Sequence, residues 1–322
     1  MQRILNRGLT APFIALSLLV LAGLSLTIGV ADFDPWRMNS QDWQLLWISR
    51  LPRTLALILA GTSLAVAGAL MQALARNAFV EPGTTGAMDA ALLAILVMQL
   101  WLPGLPLMAK MFVSSLCALA ASLVLLRMLA SLKLSSPVMV PLIGIMFGSV
   151  IGAITTFLAY RHNMLQSLSN WSQGDFSAVL QGRYELLWFT AGLTLICYLF
   201  AQRFTLMSLG ESVSTSLGLP YKALMLLGLV IISLVAGLTV TTVGMLPFIG
   251  LMVPNLVRLQ QGDNLATSLP WVAAYGALLL LVCDILARVI RFPYEIPLAS
   301  ILGILGGSFF IYLLLRRRDG QP

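Results

Sequence analysis

Side chains that could carry out chemistry are few in this sequence and lie far apart. His162 is the only histidine, and the three cysteines, Cys117, Cys197 and Cys283, each lie inside an apolar run. No two cysteines have a CxxC spacing, and multi-histidine metal motifs need more than one histidine. No Ser-His-Asp set can be assembled around the single His162. We therefore expect no catalytic residue, resident metal or cofactor in this chain.

The nucleotide-binding loop that ends in Gly-Lys is also absent. The three lysines, Lys110, Lys133 and Lys222, follow alanine, leucine and tyrosine. Without that loop the chain cannot hold the phosphates of ATP by this route. If ATP drives its function, the ATP–Mg site belongs to another subunit.

Acidic residues inside apolar runs are expensive and need an explanation. Asp284 and Arg288 are four residues apart, on one helix face, where they can form an ion pair. A structural pair, a docking role for Arg288 and a proton relay are the three interpretations. Asp89 either faces a polar cavity or caps a helix. Glu295 is expected to accept N–H groups at the start of the last helix.

The composition shows which elements must position these residues. Of 322 residues 59% are hydrophobic and 10% are charged, and the mean hydropathy is +0.94. A soluble domain of this size could not bury so much apolar surface, so we predict an all-α, polytopic membrane protein. The net charge of +7 resides in short connections, not on a basic face, which excludes a nucleic-acid partner. The ten predicted spans are 11–30, 54–75, 88–106, 111–130, 137–160, 186–202, 221–242, 244–259, 268–287 and 296–315.

Ten spans place both termini on one side of the membrane, and the distribution of arginine and lysine favours the cytoplasm. The connection 161–185 is predicted to form a short amphipathic element on the outer face. The less apolar connection 203–220 lies inside. The whole chain, 1–322, is predicted to be a single transmembrane domain.

Small residues recur at helical spacing on three spans. Gly144, Gly148 and Gly152 form one stripe, and Gly303 and Gly307 form another. Such stripes let helix backbones approach closely. They indicate tight packing, or the lining of a path or a subunit seam. The third stripe, on the second span, consists of Gly61, Ala65, Gly68 and Gln72.

Four stretches, in order along nearly the whole chain, resemble the FecCD family. Its members are permease subunits of ATP-binding cassette (ABC) importers for ferric siderophores, haem and cobalamin. The stretches are RLPRTL with AGALMQ (50–55 and 67–72), NAFVEPGTTG (77–86), LGESVSTSLG (209–218), and PFIGLMVPNLVR with DILAR and EIP (247–258, 284–288 and 295–297). The resemblance implies the type II ABC importer permease fold.

The residues in these motifs are similar to those of the family branch that imports catecholate or mixed-type ferric siderophores. Ala78 replaces a proline of many members, Asn255 replaces a histidine, and Pro247 replaces a small residue. The resemblance therefore favours a siderophore over cobalamin or haem, without naming the ligand. An ion-coupled secondary transporter is the alternative from a different class.

The resemblance also implies the partners and the roles of particular residues. A second permease subunit, two cytoplasmic ATPases and a siderophore-binding protein would complete the importer in the bacterial inner membrane. Arg50, Arg53 and Arg288 match the arginines that receive carboxylates of the binding protein. The 209–218 stretch matches the two coupling helices that contact the ATPases, with Glu211 near the start of the second. In that stretch, the residues matched to coupling also include Leu209, Gly210, Leu217 and Gly218. The residues matched to the cytoplasmic gate are Asn77, Phe79, Ser135 and Ser136. The fifth and tenth spans, with their glycine stripes, match the helices that line the pathway.

Overall fold

The structure is a computed structural model, and it describes residues 2–29, 39–131 and 139–318. The regular elements of these residues are helical, because a backbone inside lipid must satisfy its own hydrogen bonds. A π-helical turn, Leu46–Arg50, leads into the third helix. The α-helices are α1 (Gln2–Thr27), α2 (Ser40–Leu45), α3 (Leu51–Leu74), α4 (Ala87–Trp101), α5 (Leu107–Ser131), α6 (Met139–Arg161), α7 (Leu165–Ser172), α8 (Trp188–Leu199), α9 (Ala201–Met207), α10 (Glu211–Ser216), α11 (Tyr221–Val243), α12 (Ile249–Gln261), α13 (Leu265–Val289) and α14 (Leu298–Arg318).

Each of the ten predicted spans overlaps a helix of the structure, and the all-helical polytopic membrane fold is confirmed. Five helical stretches among the described residues are long and apolar enough to cross a membrane. A sixth crossing results if α8 and α9, which are bent by 62° to one another, are taken together. Shorter apolar helices run over Pro12–Thr27, Ala87–Trp101 and Leu298–Tyr312.

The eighth predicted span was wrong in its bounds. Gly244, at φ +84, ends α11, and the helix does not resume until Ile249. The resulting α12 has 13 residues, which is about 20 Å and too short to cross a bilayer. Phe248 precedes α12 with φ +64, a left-handed conformation that is uncommon outside glycine. Such an interrupted backbone is tolerated only where protein surrounds it.

Helix α3 lies at the centre of the bundle, with α13, α12, α11 and α8 packed around it. The stripe of small residues on α3 lets the neighbouring helices pack this closely. A Cβ added to Gly61 would lie 2.5 Å from the carbonyl oxygen of Gly276 on α13, and one added to Gly68 would lie 2.1 Å from that of Gly250 on α12. Backbones therefore touch at two levels of α3, and this stripe serves packing.

The periphery of the bundle is apolar and exposed in the single chain. Only 22% of the apolar stretch of α6 is buried within the chain. The side chains of Met146 and Val150 point outward from this helix. Such a surface is suited to lipid or to another subunit. The predicted amphipathic element in the 161–185 connection is confirmed as a helix, α7, which buries Leu168.

Candidate docking, gate and coupling sites

A buried charge cluster lies at the N-terminal end of α3. The Arg53 guanidinium donates to Asp284 Oδ1 from Nε at 3.1 Å and from Nη2 at 2.7 Å. Arg288 donates to the other oxygen of the same carboxylate. The third interaction joins Arg53 Nη1 to Glu295 Oε2 at 2.9 Å. The predicted Asp284–Arg288 pair is confirmed, whereas Glu295, expected to cap α14, pairs with Arg53 instead.

Arg288 of this cluster and the neighbouring Arg50 both bind the C-terminal end of α1. Arg50 Nη1 donates to the carbonyls of Leu26 and Thr27 at 2.6 and 2.8 Å. Arg288 donates to Ser25 and Ile28 carbonyls at 3.0 and 2.6 Å. Helix carbonyls without intrahelical partners are a favourable place for a cation. Both arginines are buried, at 7% and 5% exposure, so neither is a side chain lying free among lipid headgroups.

The predicted gate residues Asn77 and Phe79 lie at the opposite end of α3, about 36 Å along the 24-residue helix. Asn77 Oδ1 accepts the Phe79 N–H at 2.9 Å, which makes a tight turn after α3. The Phe79 ring meets Phe310 of α14 edge-to-face at 5.7 Å. Both gate candidates are buried. Ser135 and Ser136 lie outside the described residues.

The turn after α3 is anchored to α12 by a residue that the sequence did not single out. Glu81, 3% exposed, accepts the Phe248 N–H at 2.9 Å, and Asn255 Nδ2 donates to the Ala78 carbonyl at 2.7 Å. Burial raises the pKa of Glu81 to about 7, although the N–H groups of Phe248, Leu251 and Gly250 oppose the shift. A carboxylate at a helix N-terminus is favourably placed. The motifs at 77–86 and 247–258 thus form one unit.

The predicted coupling segment differs from the prediction in the number of its helices. We expected two short helices within 209–218, but that stretch contains only α10, and the other short helix, α9, precedes it. Gly210 and Gly218 have φ +113 and +76, so both glycines make the predicted sharp turns. Glu211 is the first residue of α10 and lies in its first turn, where an acid is favourable.

Three apolar side chains on and beside α10 are exposed, among exposed polar ones. Leu209, Val213 and Leu217 recur at four-residue spacing and are 58%, 42% and 56% exposed. On the opposite face the buried Ser214 donates to the Gly210 and Leu206 carbonyls, at 2.7 and 3.2 Å, and so ties α10 to α9. Exposed apolar side chains at a short helix that hydrogen bonds hold in place are suited to binding a partner protein.

A cavity of about 290 Å³ joins the coupling segment to the turn after α3. Its lining includes Arg76, Asn77, Ser208, Leu209 and Arg258. The Arg76 guanidinium lies 3.1 Å from where a Cβ on Gly210 would be. The gate turn and the coupling segment are therefore neighbours at the same end of the bundle.

Comparison with known proteins identifies the chain. The FecCD transport family matches residues 15–316. This chain belongs to the FecCD family. It is 43% identical to the petrobactin import system permease protein YclN of Bacillus subtilis, over 95% of this chain and 98% of the relative. It is also 43% identical to the ferric-anguibactin transport system permease protein FatD of Vibrio anguillarum, over 94% and 97%.

A solved structure confirms the fold of this FecCD chain. An inward-facing metal-chelate type ABC transporter superimposes with a TM-score of 0.81 at 25% identity, over 94% of this chain and 97% of that one. The chain is a multi-pass permease subunit of an ABC importer and not itself an enzyme. Its partners accordingly include an ATPase and another permease subunit.

The two glycine stripes of this FecCD permease serve different purposes. A Cβ on Gly144 would lie 2.1 Å from the Thr84 carbonyl oxygen, and one on Gly148 would lie 2.7 Å from Asp89 Oδ2, so the α6 stripe packs against the start of α4. Gly303 and Gly307 have no described atom within 4 Å of an added Cβ. The α6 stripe is thus closed within the chain, whereas the α14 stripe faces outward.

Asp89 is the second acid within the predicted spans, besides Asp284. It lies in the first turn of α4, and its carboxylate rests on the α6 glycine stripe at Gly148 and Gly152. A carboxylate in the first turn complements the helix dipole, but Gly86 is the N-cap residue of α4 and no side-chain hydrogen bond caps this helix, so both interpretations of Asp89 stay open. The sequence reasoning missed Glu81 because its partner Phe248 lies 167 residues away in sequence. It missed Ser214, whose partners Gly210 and Leu206 are near in sequence, because no motif marks that serine.

Proposed function

We propose that this permease carries a ferric siderophore across the cytoplasmic (inner) membrane by alternating access. The observation that carries the proposal is the 43% identity, along nearly the full length, to permeases named for petrobactin and for anguibactin. Affinity for the cargo would reside in a separate binding protein, as the family resemblance implies, with this chain acting as a conduit.

The charge cluster is the proposed docking site for that binding protein. The cluster presents the guanidinium group of Arg53, which pairs with Asp284 and Glu295, to a carboxylate of the partner, with Arg50 and Arg288 behind it. Arg53 and Glu295 are the reachable members, with side chains 13% and 26% exposed. A guanidinium fork is well matched to a carboxylate and stays charged.

Leu209, Val213 and Leu217, exposed on and beside α10, are the proposed ATPase contact at the other end of the bundle. ATP–Mg would bind to the two ATPases, and their movement would be transmitted through the 203–220 segment as a coupling loop within the single 1–322 domain. The gate turn lies beside this segment, which supports a cytoplasmic location for both. Both chain termini would then also be cytoplasmic.

The pathway is proposed to run at the seam with the second permease subunit, identical or paralogous. The open stripe at Gly303 and Gly307 supports this, since α14 has no described neighbour there. The α6 stripe is closed by α4, so α6 would contribute another face or move during transport. Small residues facing a seam would leave room for a bulky iron chelate.

Uptake by the assembled importer tests the cargo. Cells that depend on this system should accumulate ⁵⁵Fe supplied as ferric petrobactin or ferric anguibactin, and should not accumulate labelled cobalamin or haem. Uptake of cobalamin or haem instead would overturn the siderophore assignment. Uptake should persist when the proton gradient is collapsed and ATP is maintained. Loss of uptake under that condition would favour an ion-coupled transporter.

Matched variants test the two contact sites. Reversing Arg50 and Arg53 to glutamate should weaken docking of the binding protein, whereas Arg291→Glu, an exposed arginine beyond the cluster, should not. If the double variant and Arg291→Glu bind the binding protein equally well, the charge cluster is not the docking site. Gly218→Val should uncouple ATP hydrolysis from transport, whereas Gly182→Val, an equally open left-handed glycine, should not. Normal coupling in the first variant would argue against the α10 contact.

A further inference from the structure

Two buried hydrogen bonds of opposite polarity join α12 to the turn after α3. From the turn, the Glu81 carboxylate accepts the Phe248 N–H at 2.9 Å. From the helix, the Asn255 amide donates to the Ala78 carbonyl at 2.7 Å. Both side chains are almost fully excluded from water, at 3% and 6% exposure. Hydrogen bonds in such surroundings are strong, and the loss of one partner leaves the other unsatisfied.

A further contact fixes α12 on the side of α3. The Gln72 amide donates to the Gly250 carbonyl at 3.1 Å, and the Gly68 and Gly250 backbones are in contact. Residues 77–82 continue directly from α3, and Glu81 lies near the N–H groups of Gly250 and Leu251 as well. The turn and the first turns of α12 are consequently held by polar links at several points.

The turn after α3 and the start of α12 both pack against one face of α14. Phe79 of the turn contacts Phe310, and Phe248 before α12 packs where a Cβ on Gly306 would lie only 2.2 Å away. Residues 306 and 310 are one helical turn apart and share a face. The left-handed backbone of Phe248, at φ +64, sits next to the Glu81 hydrogen bond. Strain of this kind persists only where the surroundings hold it in place.

We infer that Glu81 and Asn255 clamp α12 to the 77–82 turn, so that the two move as one body and set the position of α14. Glu81 is thus a positioning residue for the gate, acting through Phe248 and the turn. The clamp is a property of this chain alone. Its effect on transport rests on the proposed function, in which α14 borders the path.

Hydrogen exchange of the full-length permease in lipid nanodiscs tests the clamp directly. Glu81→Ala should speed exchange about tenfold at the first amides of α12 and, together with them, in residues 77–82, in keeping with the loss of a helix cap. Asn255→Ala should loosen the same two segments from the other side. Glu81→Gln, which keeps an acceptor, should have a smaller effect. Glu185→Gln removes an acid that accepts the Gly182 N–H in another connection, and should change neither segment.

Cysteine cross-linking then tests whether the clamp positions α14. In a chain whose three cysteines are replaced by alanine, a short bifunctional thiol reagent should cross-link Phe79→Cys to Phe310→Cys, and adding Asn255→Ala or Glu81→Gln should slow this cross-link severalfold. Faster exchange in α12 alone, with the turn and the cross-link unchanged, would overturn the clamp and leave Glu81 as a simple helix cap. If Glu81→Ala fails to fold, the two milder variants still decide the question.

In the assembled importer, loss of the clamp should raise the ATP hydrolysed per siderophore transported. Siderophore uptake by the unaltered importer serves as the reference. A loosened clamp with unaltered coupling would overturn the gating role and leave the proposed transport function standing. Failure of the unaltered importer to move any siderophore would instead count against the proposed function.

Discussion

Replacing Asp284 by asparagine should destabilise the permease strongly. The carboxylate is 1% exposed and is shared by two guanidinium groups. Its Oδ1 accepts two hydrogen bonds from Arg53, and its Oδ2 accepts one from Arg288. The asparagine amide retains one acceptor for Arg53 but removes the negative charge and turns an N–H₂ group toward Arg288.

The expected cost follows from what is left unpaired. Breaking a buried ion pair by removing one partner costs about 3–5 kcal/mol, since the remaining charge stays desolvated. Arg288 would keep its hydrogen bonds to the α1 carbonyls and to Ser25 Oγ, at 2.8 Å, which offsets part of the cost. We therefore expect Asp284→Asn to lower the free energy of unfolding by about 3 kcal/mol, at the low end of that range.

Unfolding by SDS titration in mixed micelles measures this difference. Asp263→Asn is the matched control, because Asp263 pairs with Arg258 but is 72% exposed, and such pairs contribute about 0–1 kcal/mol. Adding Arg288→Met to Asp284→Asn should recover part of the stability, since it removes the orphaned charge. Equal stability of the Asp284 and Asp263 variants would refute the assignment of a buried, stabilising cluster.

Three further predictions concern packing, protonation and thiol reactivity. Gly68→Val should lower the free energy of unfolding, measured by SDS titration, by about 1–3 kcal/mol or more, because the added Cβ would overlap the α12 backbone. Gly192→Val adds its side chain in open space and should be tolerated. Equal losses of stability in the two variants would contradict the close contact of α3 with α12. Because the pKa of Glu81 is raised to about 7, the wild type should lose about 3 kcal/mol of stability between pH 4.5 and 7 relative to Glu81→Gln; equal pH slopes for the two proteins would contradict this assignment. In the native protein Cys197 and Cys283, both 0% exposed, should resist a maleimide that labels them after denaturation, and labelling before denaturation would show that the bundle opens.

Local patterns in the sequence predicted those parts of the fold that depend on neighbouring residues. Apolar runs predicted the helices, and the four-residue spacing of Asp284 and Arg288 predicted their pair. Gly210 and Gly218 marked real turns because glycine adopts positive φ without strain. The docking, coupling and gate roles remain proposals that rest on the family resemblance and on the positions described here.

Features that depend on distant partners could not be predicted in this way. Composition alone did not reveal that the eighth span begins at Ile249, because the break is set by the fit of Phe248 against α14. Nor did it reveal that Glu81 serves a helix 167 residues away in sequence. Glu295 was assigned to the nearest helix start, whereas a guanidinium on α3 offers it an opposite charge.

The pairing of Arg53 with Asp284 also constrains the biogenesis of this protein. The two residues are 231 positions apart, so a ribosome delivers the arginine to the membrane long before its counter-ion exists. Until α13 is inserted, Arg53 must remain hydrated at the bilayer surface, because burying it alone would be costly. The bundle can therefore close around α3 only late in synthesis, after α13 has supplied the counter-ion of Arg53.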